Sequence, residues 1–167
     1  MFKILITALI LISAVGSPSG VDRARAGGWI VGSVSILNEA GHHVYGEHLA
    51  VFLVSRKNPV SANRCDGEAN HQRRVDCINN CHLDFYKRFQ RKQQQGGYLI
   101  AQTATSSTGN FAFLDTAAGT YYIVVKFPSL IDGYKVAWQE PVTLTSEGVS
   151  MVSLDESNLV LPKNRRR

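Results

Sequence analysis

Residues 98–127 read YLIAQTATSSTGNFAFLDTAAGTYYIVVKF. Thr108-Gly109-Asn110 and Ala118-Gly119 punctuate this stretch as turns, because Gly and Asn accept backbone angles that other residues resist. Between the turns, NFAFLDT carries Phe111 and Phe113 two residues apart, so both side chains lie on one face of a strand. TYYIVVKF (120–127) is rich in β-branched and aromatic residues, the composition of a buried strand. With YLIAQTATSS (98–107), thirty residues hold three strands at the turn spacing of an all-β domain.

The same pattern extends in both directions. Downstream, PSLIDG reads as a loop. YKVAW, PVTLT and VSMVSL then read as three short strands, separated by Pro141 and by a turn at Ser146-Glu147-Gly148. Upstream, GGWIVGSVSIL (27–37) places Ile30, Val34 and Ile36 on one face, with Gly32 interrupting the row. Gly41 and Gly46 bracket a turn region, NEAGHHVYGEH (38–48). LAVFLVS (49–55) is apolar on both faces and reads as a buried central strand. The expectation is a mainly β fold, an antiparallel β-sandwich of seven or eight strands.

One segment breaks the two-residue period. After a loop-like stretch at 56–70, Val75, Ile78, His82, Phe85 and Phe89 recur at spacings of three and four. That is one face of a helix. Arg73, Lys87, Arg88 and Arg91 point away from the stripe and read as a solvated face. Gly96-Gly97 stops the run. A single amphipathic helix over about 71–94 is therefore expected as an insertion between strands.

The first 26 residues, MFKILITALILISAVGSPSGVDRARA, put Lys3 ahead of an apolar run from Ile4 to Val15. The run is too short to span a bilayer, and the reading is a Sec-type signal peptide over 1–26. Ala24-Arg25-Ala26 has the form of a cleavage site, and cuts after Gly16 or near Gly20 remain open. No other stretch is apolar enough to form a transmembrane segment. The expected organisation is a leader at 1–26, a sandwich domain at 27–160 and a basic tail at 161–167. Localisation is then secreted or periplasmic. The chain of 167 residues carries a formal charge of +5. Removing the leader would lower that to +3, all of it accounted for by Arg165, Arg166 and Arg167. A near-neutral body gives no ground for nucleic-acid binding.

Several motifs on the strands carry a resemblance. Gly32-x-Val34, Gly41, Gly46 and Leu49-x-Val51-Phe52-Leu53 open it. Thr103-Ala-Thr-Ser-Ser-Thr-Gly109-Asn-Phe111-Ala-Phe113 continues it. Gly119-Thr-Tyr121, Val142-Thr-Leu144 and Val152-x-Leu154 complete it. The chain resembles the carboxypeptidase regulatory-like domains, transthyretin-like (prealbumin-like) β-sandwiches grouped with carbohydrate-binding-like folds, over most of 28–155 except roughly 56–97. In that pattern the T…G-x-F-x-F element is a hairpin with Gly109 at its positive-φ position. The resemblance implies a non-catalytic accessory, adhesion or scaffold module and identifies no ligand. The helical insertion and the three cysteines depart from the pattern, so any function special to this chain is expected there.

Cys65, Cys77 and Cys81 fall within 17 residues. An exported chain would hold one disulfide among them. Cys77 and Cys81, at i and i+4 on a helix, have poorly placed Cβ vectors for bridging, so Cys65 paired with either Cys77 or Cys81 is expected. Two other chemistries use these residues. Cys77, Cys81 and His82 form an expanded C-x-x-C-H, a c-type haem attachment reading opposed by His82 as a plain core residue. Cys65, Cys77 and Cys81 with His71 or His82 could ligate zinc, without the tight C-x2-C knuckle. His42, His43 and His48 are a weaker metal cluster, and adjacent histidines in extended chain point opposite ways.

The templates G-x-S-x-G, H-E-x-x-H, the P-loop and G-x-G-x-x-G are missing from the sequence. Asp115 and Asp132 sit beside turns, where carboxylates serve the backbone. No enzyme and no cofactor are expected. Trp29, Tyr45, Tyr134 and Trp138 are the candidates for stacking on sugar rings, against a default in which aromatics of a small sandwich are buried. The function expected is a secreted or periplasmic binding or scaffold module of the bacterial cell envelope. It would dock a protein partner or envelope component through strand edges or the helix. The alternatives are a carbohydrate-binding module and a haem-carrying redox protein.

Overall fold

The computed structural model describes residues 27–60 and 65–165. The expected leader, and Arg166 and Arg167 of the basic tail, lie outside the described residues.

β1 (Gly28–Leu37) alternates as its sequence demands, with Ile30, Val34 and Ile36 buried. It pairs antiparallel with β2 (His43–Tyr45) and with β5 (Asn110–Thr116), and parallel with β8 (Val149–Leu154). These four strands form one sheet. The parallel pair departs from the all-antiparallel expectation. It joins the first long strand to the last, so the whole domain serves as the crossover that parallel pairing requires.

The second sheet runs in the order β4-β3-β6-β7-β9. It contains β3 (Ala50–Val54), β4 (Leu99–Ala104), β6 (Gly119–Ile131), β7 (Tyr134–Leu144) and a short β9 (Asn164–Arg165). The two sheets pack face to face as a β-sandwich. Between them sit Ile30, Val34, Leu53, Phe111, Phe113, Ile123, Val136 and Trp138, among others.

β3 is apolar on both faces because both faces are covered. Val51 and Leu53 enter the inter-sheet core, while Phe52 and Val54 join Phe85, Phe89 and Tyr98 on the opposite side. That opposite side holds α1 (His71–Gln93). Asn70 caps the helix by accepting from the Arg73 N–H at 3.0 Å. Ile78, His82, Phe85 and Phe89 are its buried stripe, and Gly97 follows its end at φ +72°. The helix thus lies across the outer face of the five-stranded sheet.

Two local expectations are corrected. First, β4 and β5 belong to different sheets, so the T…G-x-F-x-F element is an inter-sheet corner rather than a hairpin. Gly109 does take positive φ there, at +76°. Its Cβ position is only 2.5 Å from the Val34 carbonyl, which leaves no room for a side chain.

Second, PSLIDG is not a loop, and YKVAW and PVTLT are not separate strands. β6 continues to Ile131 through a register shift between Val125 and Ser129, and Pro128 falls in this irregularity. Asp132 (φ +49°) and Gly133 (φ +76°) then form the two-residue turn to Tyr134, the Asp-Gly hairpin signal. β7 passes straight through Pro141. Among the described residues β9 pairs only with Tyr134 and Lys135, so the strand's far flank is open at Pro141 and a missing N–H is tolerated.

The described chain beyond 160, as far as Arg165, is held against the fold. Leu161 is buried with the helix-side core. Arg165 Nη1 donates to Glu39 Oε1 at 2.7 Å and lies over the Tyr134 ring. Burial of Leu161 and pairing of β9 with β7 hold the segment down.

Candidate functional site

α1 covers one outer face, and among the described residues nothing covers the outer face of the four-stranded sheet. Strand parity decides what it displays. Ile30 and Val34 point inward, so Trp29, Val31 and Ser33 point outward. Trp29 is registered with Val149, Val31 with Met151, and Ser33 with Ser153. On the other flank, Val31 is registered with Ala112 and Ser33 with Asn110. Two apolar rows result, bordered by a polar row of Asn110, Ser33 and Ser153. Trp29 is 49% exposed, Leu114 59%, Val149 62% and Met151 84%. A contiguous apolar surface of this kind marks an interaction site more often than chance exposure does.

The groove across this face is lined by Val31, Ala112, Leu114, Met151 and Val152, with Ser33, Thr103, Ser106, Asn110 and Ser153 at its margins. No side chain lining it titrates. The arrangement can bury apolar surface and offer a few hydroxyls. It supplies no general acid or base.

The four aromatic candidates are not brought together. Trp138 is fully buried and its Nε1–H donates to the Asp155 carbonyl at 2.7 Å, so its ring has no face for a ligand. Tyr134 is also buried, and its hydroxyl donates to Glu39 Oε1 at 2.8 Å. Trp29 and Tyr45 are half-exposed. Tyr45 is registered with Ser35, six residues along β1 from Trp29, a separation of about 20 Å. That distance is too great for one or two sugar rings to stack on both. The apolar patch itself was hidden in the sequence. Val149 and Met151 share a parity opposite to Leu154, but that pattern says nothing of the missing covering layer.

The cysteine segment is built by the loop before α1 and the first three turns of the helix. Cys65 and Cys77 are disulfide-bonded with Cα atoms 5.7 Å apart. Cys81 Sγ lies 3.7 Å from Cys65 Sγ. The three sulfurs lie within 4.8 Å of one another. Among the described residues neither His71 nor His82 joins this group, and no other metal-competent cluster occurs, so His42, His43 and His48 do not converge. With Cys65 and Cys77 joined, zinc ligation by three thiolates would first require reduction. Of the three residues of the expanded C-x-x-C-H, Cys77 is engaged with Cys65 and His82 is turned into the core.

His82 is fully buried, and its Nε2–H donates to the Pro162 carbonyl at 3.0 Å. Burial holds its pKa below the ordinary imidazole value. The Pro162 carbonyl opposes this and Lys135 adds to it. The unfolded chain takes up a proton at His82 at higher pH than the folded chain does. Stability should therefore be unaffected by this group above about pH 6.5 and fall as the pH drops through and below it. Chemical denaturation at a series of pH values tests this. His82→Asn should flatten that part of the profile, and an unchanged slope in the variant would refute the assignment.

No protein-family model matches the chain, and no curated protein matches it in sequence. Solved structures share its general outline at low identity. A Pseudomonas aeruginosa protein to which carbohydrate binding is attributed is 16% identical, with a TM-score of 0.44, over 80% of this chain and 91% of that one. The minor pilin GBS52 of Streptococcus agalactiae is 9% identical at TM-score 0.46, over 85% of this chain and 46% of its own. The major pilin SpaD of Corynebacterium diphtheriae is 10% identical at TM-score 0.42, over 87% and 32%. The chain spans about half or less of these pilins. The sandwich is established by the strand pairing above and not by these likenesses. Among the described residues no helix is long and apolar enough to cross a membrane.

Proposed function

We propose that this chain is an exported, non-catalytic binding or scaffold module of the bacterial cell envelope. It docks a protein partner on the outer face of its four-stranded sheet. The observation that carries the reading is the uncovered apolar double row of Trp29, Val31, Leu114, Val149 and Met151. The motifs that resemble carboxypeptidase regulatory-like domains, and the apolar leader at 1–26, support export and an accessory role. A protein partner suits this face better than a polysaccharide does. Its centre is aliphatic, and its polar row of Asn110, Ser33 and Ser153 lies four residues along β1 from the one stacking ring, Trp29. The helix stripe is consumed by the sheet, which leaves the face rather than the helix for docking.

The test uses the full chain in cells that make it. A photo-crosslinking residue at Met151 should yield a discrete protein adduct, and one at Lys87 on the exposed side of α1 should not. Leu114→Lys in the Met151 crosslinker background should abolish the adduct. The purified Leu114→Lys protein should change stability by no more than about 0.5 kcal/mol, as expected for an exposed site. Equal adducts from both positions, or adducts indifferent to Leu114→Lys, would overturn the assignment.

A further inference from the structure

The three sulfurs at the start of α1 do more than close a loop. Cys77 and Cys81 stand one helical turn apart on the same side of α1, and Cys65 faces both from the preceding loop. Cys65 is buried, whereas Cys77 and Cys81 are half-buried and line an open groove with Arg73, Asp76, Asn80 and Asp84. The two helix cysteines thus line the solvent-facing groove and the shared one does not.

We propose that Cys65, Cys77 and Cys81 form a thiol–disulfide exchange site in which Cys65 alternates between two partners. This inference is independent of the docking face. The Cys81 thiolate attacks Cys65 Sγ, 3.7 Å away, and a Cys65–Cys81 bond forms as the Cys65–Cys77 bond breaks. Cys77 leaves as a thiolate and takes up the proton that Cys81 gave to solvent. No oxidant or reductant is consumed, because one disulfide and one thiol exist before and after. The attack needs a rotation of the Cys81 side chain to bring it into line. It needs no rearrangement of the helix, since both helix sulfurs already lie within 4.8 Å of Cys65. The reactive thiol is thereby delivered to either of two places along the groove, where small disulfides or a partner thiol can reach it.

The sequence spacing allows this and a helix enforces it. The i,i+4 pair cannot readily bond to itself, so the single disulfide must include Cys65. Which partner it takes is then a choice between two nearly equivalent positions.

Alkylation of the folded, oxidised wild-type protein with iodoacetamide at mildly alkaline pH, followed by fragment-level mass spectrometry, reads the exchange without any mutation. Label is expected on Cys77 in one population and on Cys81 in the other, because capping either thiol freezes one isomer. Label on Cys81 alone would overturn the proposal. Cys77→Ser should form the Cys65–Cys81 bond and take up no label under the same conditions, and two labelled thiols in that variant would also overturn it. Cys65→Ser should take up label at both helix cysteines, and a Cys77–Cys81 bond in its place would show that Cys65 is not the shared sulfur.

Discussion

Trp138→Ala is expected to destabilise the protein by about 3–5 kcal/mol, the range for deleting a large buried aromatic. On a domain of this size that lowers the thermal midpoint by roughly 10 °C or more. Two contributions combine. The ring is fully buried in the inter-sheet core, so its removal leaves a cavity that packed neighbours only partly refill. Its Nε1–H also holds the Asp155 carbonyl at 2.7 Å, and the Trp138 backbone bridges to Leu159. The residue therefore ties β7 to the segment that follows β8. Trp138→Phe should retain much of the packing and lose the tie, so its cost should fall between wild type and Trp138→Ala. Urea unfolding of the three proteins measures the series. A cost below about 1 kcal/mol for Trp138→Ala would place the ring at the surface, as a sugar-stacking role requires.

Phe89→Ala is the corresponding change on the other side of the five-stranded sheet, with an expected cost of about 3–5 kcal/mol. Phe89 is fully buried, edge-on to Phe52 at 5.1 Å and to Tyr98 at 6.0 Å between ring centroids. Lys126 Nζ sits 5.1 Å from the Phe52 ring centre and 5.6 Å from that of Phe89, closing this aromatic cluster at its edge. The cluster is what docks α1 to the sheet. The helix depends on this contact, because in a protein most of an amphipathic helix's stability comes from packing its apolar face. Loss of Phe89 should thus also raise protease cleavage within 71–97. Lys87→Ala and Arg91→Ala, on the exposed side, should each stay within about 0.5 kcal/mol of wild type. Equal costs for Phe89→Ala and Lys87→Ala would mean that the helix does not rest on the sheet and is available to a partner.

Legibility from sequence varied with the range of the interaction. Ile30, Val34 and Ile36, Phe111 and Phe113, and the stripe from Ile78 to Phe89 were readable because each pattern is local. A strand or helix repeats its side-chain direction every few residues regardless of what it packs against. The same locality makes PSLIDG read as a loop. Pro128 is a local stop signal, yet pairing with β7 carries β6 on to Ile131. The Phe111–Phe113 element illustrates the boundary well. Its alternation and its positive-φ Gly109 were visible, whereas its passage from one sheet to the other was not, since both outcomes bury the same two rings. Among the site residues, His82 could be read as a member of the apolar stripe. Its contact with the Pro162 carbonyl spans 80 positions and left no trace in either segment.

The linear chain alone determined the mainly β character, the one amphipathic helix, the boundaries at Gly97 and Gly109, and a single disulfide that must use Cys65. All of these depend on neighbours a few residues away. Only the folded molecule decided that α1 roofs the five-stranded sheet, that β8 lies parallel to β1, and that Leu161 to Arg165 is anchored. It also decided that Trp29, Leu114, Val149 and Met151 share one uncovered surface. Periodicity states which side of an element is apolar, and packing alone states whether anything covers that side.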